Sequence, residues 1–394
     1  MTTLDSYNFS GKCALVRVDF NVPLDSSFHI TDATRISATI PTLIKILKDG
    51  GRAVLMSHLG RPKSGPEERY SLRHLVHEVA RQTGAPVYFA PDCIGDEAFE
   101  KAQSLRAGEL LLLENLRFYK EEEKGDPAFA AKLARYGEVW VNDAFGTAHR
   151  AHASTAVIAE FMRDKVCGYV MQAELDNAEK VLSKVEKPYT AIMGGAKISD
   201  KILIIERLLD KVDTLIIGGG MAYTFFKAMG GNIGNSLVET DRLELAKTLI
   251  EKAKEKQVNL LLPLDSIAAD AFAADAKTQV VMNYGIPDGW MGLDIGPQAQ
   301  EVFSNAIRSS RTILWNGPMG VFEMQAFAQG TLSVAQAVAD ATKKGAFSLI
   351  GGGDSAAAVN QFGMSDQVSY VSTGGGALLE YMEGKVLPGV AALG

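Results

Sequence analysis

The sequence predicts an α/β protein of two doubly wound parallel-sheet domains joined by a helix and hinge. Three observations carry that prediction. Short runs rich in β-branched residues or leucine alternate with amphipathic stretches of helical period along the 394 residues. The runs end in glycine or polar residues, as strands do in a parallel sheet covered on both faces. Composition then changes near residue 170: 12 of 16 arginines and all 6 histidines precede it, and 26 of 38 glycines follow it. A single sheet would have to hold ten strands. The change is therefore read as a boundary between residues 1–170 and a second, Rossmann-like domain that starts at 171.

In chain order, strands are expected at 13–18 (CALVRV), 52–57 (RAVLMS), 109–114 (ELLLLE) and 138–143 (EVWVND). The segments ITDATRISATIPTLIKILKDG and LRHLVHEVARQTG supply helices between them. The charged run YKEEEKGDP at 119–127 is expected as a solvated loop. Segment 167–188 reads as a helix ended by Pro188; it contains no Pro/Ser/Gly linker, so a helix is expected to connect the domains. The second part offers strands at 189–195, 214–220, 259–265, 312–318, 347–353 and 368–376, with LELAKTLIEKAKEKQ as one of its helices.

Net charge is −7, divided −1 and −6 between the two parts, which argues against a general nucleic-acid or membrane-surface partner. Cys13, Cys93 and Cys167 are widely spaced with no CxxC pair, so free buried thiols are expected. MTTLDSYNFSGK has no secretory pattern, and no uncharged apolar run reaches the ~18–20 residues of a membrane span. A cytoplasmic monomer acting on small molecules is expected.

Ligands of open parallel sheets bind beyond the C-terminal ends of the strands. In the first part those ends carry Asp19 and Asn21, His58 and Arg61, Arg117, then His149, Arg150 and His152; Arg35 lies where the first helix starts. Arginine's planar fork suits phosphate and carboxylate oxygens, so a small, multiply anionic ligand is expected there. Any one of these arginines could simply pair with a surface acid, but that accounts poorly for four at consecutive strand ends. The AHRAH pair lacks the companion ligands of a zinc site. His74 and His77 lie mid-helix and are assigned to packing or surface.

In the second part the ends carry Gly194-Gly195-Ala196-Lys197, Gly218-Gly219-Gly220, Asn316-Gly317-Pro318, Gly351-Gly352-Gly353-Asp354-Ser355 and Gly374-Gly375-Gly376. Glycine allows close backbone approach, and a helix start offers free N–H groups to phosphate. With Lys197 and Lys201 nearby, a phosphate-bearing ligand is expected, and Asp354 is placed to hold Mg²⁺ beside it. An ordinary helix cap is the plainer role for Asp354. GxxxxGK[ST], GxSxG, HRD/DFG and a GxGxxG followed by a distant acid are all absent, which excludes Walker-type sites and counts against a dinucleotide dehydrogenase. Two mouths on two domains suit phosphoryl transfer, which requires positioning, charge neutralisation and exclusion of water.

The segments RVDFNVP (17–23), TDATRI (31–36), SHLGRP (57–62), LLLENLRF (111–118), NDAFGTAHRAHAS (142–154), GGAKISDKI (194–202), WNGPMGVFE (315–323), GGGDSAAAV (351–359) and STGGGA (372–377) resemble the phosphoglycerate kinase family, in order along nearly the whole chain. The resemblance implies reversible, Mg²⁺-dependent phosphoryl transfer between 1,3-bisphosphoglycerate and ADP, by closure of the hinge. It implies that residues 1–170 bind the glycerate, that 171–376 bind ATP or ADP, and that 377–394 pack back on the first domain. Substrate contacts carry over to Asp19, Asn21, Arg35, His58, Arg61, Arg117 and Arg150, with Arg35 orienting the reacting carboxyl-phosphate. Lys197 and Lys201 fall on the lysines near the transferring group, and Gly353 and Gly375 on catalytic glycine turns. Gly195, Ala196, Gly218, Gly219, Asn316, Pro318, Val321 and Glu323 match positions around the adenosine. Gly352, Gly353, Asp354 and Ser355 match the phosphate side. Two departures stand out: DSSFHI replaces a charged glycine turn, and Ala173 replaces a lysine between the domains. A catalytically silent binding protein on the same fold is the alternative, and it would require degraded site residues.

Overall fold

All four apolar runs expected in the first part form strands, and three more join them in the computed structural model, which describes residues Met1–Gly394. They are β1 (Thr2–Thr3), β2 (Cys13–Arg17), β3 (Arg52–Met56), β4 (Val87–Ala90), β5 (Leu110–Leu113), β6 (Val139–Asn142) and β7 (Asp164–Cys167). All pair parallel in the order β1-β7-β6-β2-β3-β5-β4. The inner strands β2, β5 and β6 are buried throughout, which is why they read as unbroken apolar runs. The strands the sequence did not reveal are edge strands or lie next to an edge. β4 is half exposed and β7 begins Asp-Lys, so neither needs an apolar run.

The helix Thr34–Lys48 packs Ile36, Ile40, Leu43 and Ile46 against this sheet, at spacings that share one face. Pro41, inside the same helix, is exposed, so the carbonyl it leaves unpaired faces water. Where a solvated loop was expected at 119–127, the chain forms the short helix Lys120–Lys124, and Glu122 is fully buried. The reason is tertiary: Glu122 accepts from Ser154 N (3.1 Å) and Ser154 Oγ (2.5 Å) and faces the buried Arg17.

The helix expected at 167–188 is shorter, Tyr169–Leu182, because Cys167 closes β7. Its first N–H groups are satisfied from outside: Asp143, buried at the end of β6, accepts from Val170 N at 2.8 Å. The chain divides inside this helix. Met1–Asp176 and Gly384–Gly394 make one unit, and Asn177–Glu383 the other. The returning segment carries a short helix, Pro388–Ala391, seated on the first unit by Gly389 N to Ala148 O (2.8 Å) and Asn142 Nδ2 to Gly389 O (3.1 Å).

In the second unit the strands are β8 (Tyr189–Met193), β9 (Thr214–Ile217), β10 (Asn232–Ile233), β11 (Asn259–Leu261), β12 (Asp265–Ala269), β13 (Thr278–Met282), β14 (Gly285–Ile286), β15 (Met291–Ile295), β16 (Thr312–Asn316), β17 (Phe347–Gly351) and β18 (Tyr370–Val371). Six of them form a parallel sheet, β11-β9-β8-β16-β17-β18. The single strand expected at 259–265 is two: the chain leaves the parallel sheet after Leu261, and past Pro263 it starts an antiparallel sheet, β13-β12-β15. That sheet was not anticipated, because β13 is mostly exposed and lacks a periodic apolar pattern.

Strand order reverses between β2 and β6 in the first unit and between β8 and β16 in the second. These are the crevices where ligands of doubly wound sheets bind.

Candidate active site

At the first reversal the turn after β2 delivers Asp19 and Asn21, and the turn after β6 leads to Arg150 and His152. Arg35, in the first turn of Thr34–Lys48, reaches back to this turn. Its Nη1 lies 3.2 Å from both Asp19 carboxylate oxygens and 3.3 Å from Asn21 O. Asn21 Oδ1 accepts from Gly60 N (2.9 Å), while Gly60 O accepts from Arg117 Nη1 (3.2 Å). Gly60 thus ties the turn after β3 to two site residues through both its N–H and its carbonyl. Asn115 steadies the same turn by donating to Leu59 O at 2.7 Å. Arg61, which follows Gly60 in that turn, and Arg150, which acts on His152, are both exposed.

His58 is buried with its Nδ1 3.2 Å from Arg17 Nη2. Burial, then Arg17, Arg117 and Arg35, hold its pKa well below the ordinary value, so the ring is neutral and accepts from the guanidinium. His152, also buried, is held down to about 4 by burial and by Arg117, Arg17 and Arg150. The cationic groups expected from the sequence therefore act on common neighbours in one crevice. Arg17, Glu122 and Ser154, which support them, were missed. The signal was an arginine inside an apolar strand: Arg17 is fully buried and donates to Ser154 Oγ (2.8 Å).

At the second reversal three glycine turns press together. Gly194 N donates to Asn316 O (2.9 Å), Gly195 N to Pro318 O (3.1 Å) and Gly219 N to Met319 O (3.2 Å). These N–H groups are thus used between turns and not offered to a ligand, which corrects that part of the sequence reading. The glycines are required by backbone contact: a Cβ on Gly317, at φ +103°, would lie 2.3 Å from the Gly194 backbone. By contrast Gly353 and Gly375 have open space where a Cβ would stand. The helix Gly353–Gln361 begins there with Gly352 at its N-cap and Asp354 in its first turn. Ser355 is buried, and its hydroxyl accepts from Gly317 N (2.6 Å), so it fastens the turn.

Beside these turns lies a cavity of about 570 Å³, walled by Gly195, Ala196, Gly219, Pro318, Val321 and others, with Glu323 and Asp354 as its acids. Sequence reasoning missed the rest of its wall. Tyr223, Leu237, Phe272 and Met291 come from segments that are not ends of the parallel strands, and Leu237 and Phe272 are conspicuous only as exposed apolar side chains. Lys201 donates to Asn316 Oδ1, and burial pushes its amine down from the ordinary value against the pull of Asp200, Asp354 and Glu383. Lys197 is exposed four residues earlier. Between them, Ser199 N donates to Glu239 (3.2 Å) and holds the lysine loop. No three His, Cys, Asp or Glu side chains converge, so a divalent cation here would take Asp354 together with oxygens of its ligand.

An apolar cavity that ends at a helix N-terminus and at Asp354, a carboxylate within electrostatic reach of Lys201, fits a base, sugar and phosphate chain. The cationic crevice of the other unit fits a small acid phosphate.

Comparison with known proteins follows the same line. The family model for phosphoglycerate kinase matches residues 4–385. The chain is 55% identical to phosphoglycerate kinase of Porphyromonas gingivalis over 99% of both chains. It is 54% identical to the cytosolic enzyme of Triticum aestivum, over 99% of this chain and 97% of that one. Among solved structures it is similar to phosphoglycerate kinase from Coxiella burnetii, with TM-score 0.89, 39% identity, and coverage of 99% and 98%. The enzyme from Pyrococcus horikoshii gives TM-score 0.82 at 30% identity over 100% and 98%.

Proposed function

Because the chain belongs to the phosphoglycerate kinase family and catalyses reversible phosphoryl transfer in glycolysis, we propose how its residues divide that reaction. The glycerate binds the first unit and the nucleotide the second. What supports this division is the contrast between the two crevices, one lined by guanidinium groups and one apolar with a phosphate-type turn at its end.

The phosphate and carboxyl oxygens of 3-phosphoglycerate are held by Arg35, Arg61, Arg117 and Arg150, with His58, Asp19 and Asn21 fixing orientation. Arg35, steadied by Asp19, faces the glycerate carboxyl oxygen, which gives up the phosphoryl group as the terminal β-phosphate oxygen of ADP takes it, and it offsets the negative charge that develops there. Adenosine occupies the cavity against Gly195, Ala196, Gly218, Gly219, Pro318 and Val321, with Glu323 accepting from the ribose. Asn316 steers Lys201, which follows the transferring group, and Lys197 adds charge nearby. The N-terminus of Gly353–Gln361, with Gly352, Gly353 and Ser355, receives the phosphate chain, and the Gly375 turn the moving phosphoryl. Asp354 would hold Mg²⁺ carried on the nucleotide phosphates, where the ion supplies charge neutralisation. Transfer needs both substrates in line, so the ligand-bound enzyme closes about the helix that links the units. The reading includes a cytoplasmic monomer, which sedimentation and cell fractionation would check.

The test is a coupled assay of ATP consumption with 3-phosphoglycerate and Mg²⁺. Lys201→Met should lower kcat by about 10³-fold while changing nucleotide affinity less than tenfold. Undiminished turnover by that variant would overturn the assignment of Lys201.

A further inference from the structure

Asp294 lies on β15 between two cavity-wall segments and is fully buried. Its Oδ2 accepts from Gly330 N at 2.8 Å and its Oδ1 from Ile295 N at 2.9 Å. Gly330 is in the first turn of the helix Gln329–Lys343, whose own N-cap residue, Ala328, has no side chain to offer. Three backbones converge on this one carboxylate. A Cβ on Gly320 would lie 2.4 Å from Asp294 Oδ1, and one on Gly330 2.1 Å from it.

A continuous path leads from there to the cavity. Thr331, next to Gly330, accepts at its hydroxyl from Met319 N (3.1 Å); Met319 is a wall residue whose carbonyl accepts from Gly219 N. On the other side Val321 N donates to Leu293 O at 2.9 Å, joining the 318–323 loop to the strand that carries Asp294. Gly292, Leu293, Met319, Gly320 and Val321 all line the cavity.

We infer that Asp294 is a positioning residue for the nucleotide: its ionised carboxylate fastens the helix and loop that form one wall of the cavity. The inference rests on the nucleotide occupying that cavity. Burial pushes the Asp294 carboxyl up to about 7, opposed only by its two backbone hydrogen bonds. No lysine or arginine offsets it. The titratable groups on the elements packed against it are Tyr223 and Asp265, both committed elsewhere, Lys227 in the last turn of the helix Met221–Ala228 that carries Tyr223, Glu323 on the loop, and Asp340 and Lys343 near the far end of the helix Gln329–Lys343. Protonation replaces an acceptor with an O–H aimed at an N–H, which loosens the wall.

Adenosine is the reagent of choice, since it carries no phosphate that titrates near neutrality. Its dissociation constant for the intact protein should rise up to about tenfold from pH 8 to pH 6, as the ionised fraction falls. Asp294→Asn should hold it near the pH 6 value at every pH, without altering affinity for 3-phosphoglycerate. Asp265→Asn is the control: Asp265 caps the helix Pro297–Arg308 by accepting from Ala299 N (2.8 Å) but does not line the cavity. It should lower Tm and leave adenosine binding and its pH dependence intact. A pH-independent wild-type affinity, or an Asp294→Asn variant that keeps the dependence, overturns the inference. If Asp294→Asn does not fold, the wild-type titration beside Asp265→Asn decides: loss of the dependence in Asp265→Asn assigns it to general loosening and refutes the role of Asp294. Failure of adenosine to bind at all would instead strike the nucleotide assignment itself.

Discussion

Arg35→Ala separates chemistry from stability. The guanidinium touches Asp19 and the Asn21 carbonyl, but its side chain remains 35% exposed, so solvent screens the pair. Its removal should cost folding no more than about 0.5 kcal/mol. Its proposed task is to meet charge that develops as the phosphoryl group moves. Groups with that task are worth ~10²–10⁵ in rate; a loss of about 10³ corresponds to ~4 kcal/mol of barrier. The truncation also leaves the Asp19 carboxylate, only 13% exposed, facing an anionic substrate. Arg35→Ala/Asp19→Asn removes that repulsion and should recover about tenfold over the single variant. The assay is coupled ATP consumption at varied 3-phosphoglycerate, run beside thermal denaturation. A kcat within tenfold of wild type would refute the role. So would a Tm lowered by more than about 5 °C, since a shift of that size means the fold, and not the reacting charge, was disturbed.

Three other outcomes are expected. Leu237→Ala and Phe272→Ala, which trim exposed apolar walls of the cavity, should each weaken nucleotide binding about fivefold in calorimetry and leave Tm unchanged. Gly317→Ala forces a side chain onto a φ of +103° and into the Gly194 backbone, so denaturant unfolding should show a loss of roughly 3 kcal/mol or more. His152 is held at about 4 when folded and titrates near 6.5 when unfolded. The unfolded state therefore binds the extra proton between those values, and stability falls as pH drops from 6.5 to 4, by about 3 kcal/mol from this group. His152→Gln should flatten that part of the stability–pH curve, measured against wild type.

Much of the fold was legible because a buried parallel strand has to be apolar along its length. β2, β5, β6, β8 and β16 announce themselves in this way, and their polar residues are forced to the ends, where the candidate site lies. Arg117 and Asp354 could be singled out by position for that reason, whereas Arg35 and Lys201 lie at helix starts and were singled out by their charge beside those ends. What was hidden depends on partners far away in sequence. Glu122 sits in a run of charges that looks solvated, and Ser154, Arg17 and Arg117, the first two far off in sequence, make its burial tolerable. Likewise β13 is an exposed strand held by pairing with β12, and nothing in TQVVM requires it. Buried acids such as Asp143, Asp265 and Asp294 read as ordinary polar residues until the helix each one caps is in view.

The short helix Pro388–Ala391 has a consequence for the order of events in synthesis. The unit that it completes begins at Met1 and breaks off at Asp176, and its last piece starts at Gly384. At roughly 5–20 residues per second, the intervening residues Asn177–Glu383 take some 10–40 s to make. Throughout that interval the groove around Ala148, two residues from Arg150, waits without Gly389. The second unit is one continuous stretch, Asn177–Glu383, and needs no later segment to complete it. The first unit, although translated first, is the one that finishes last.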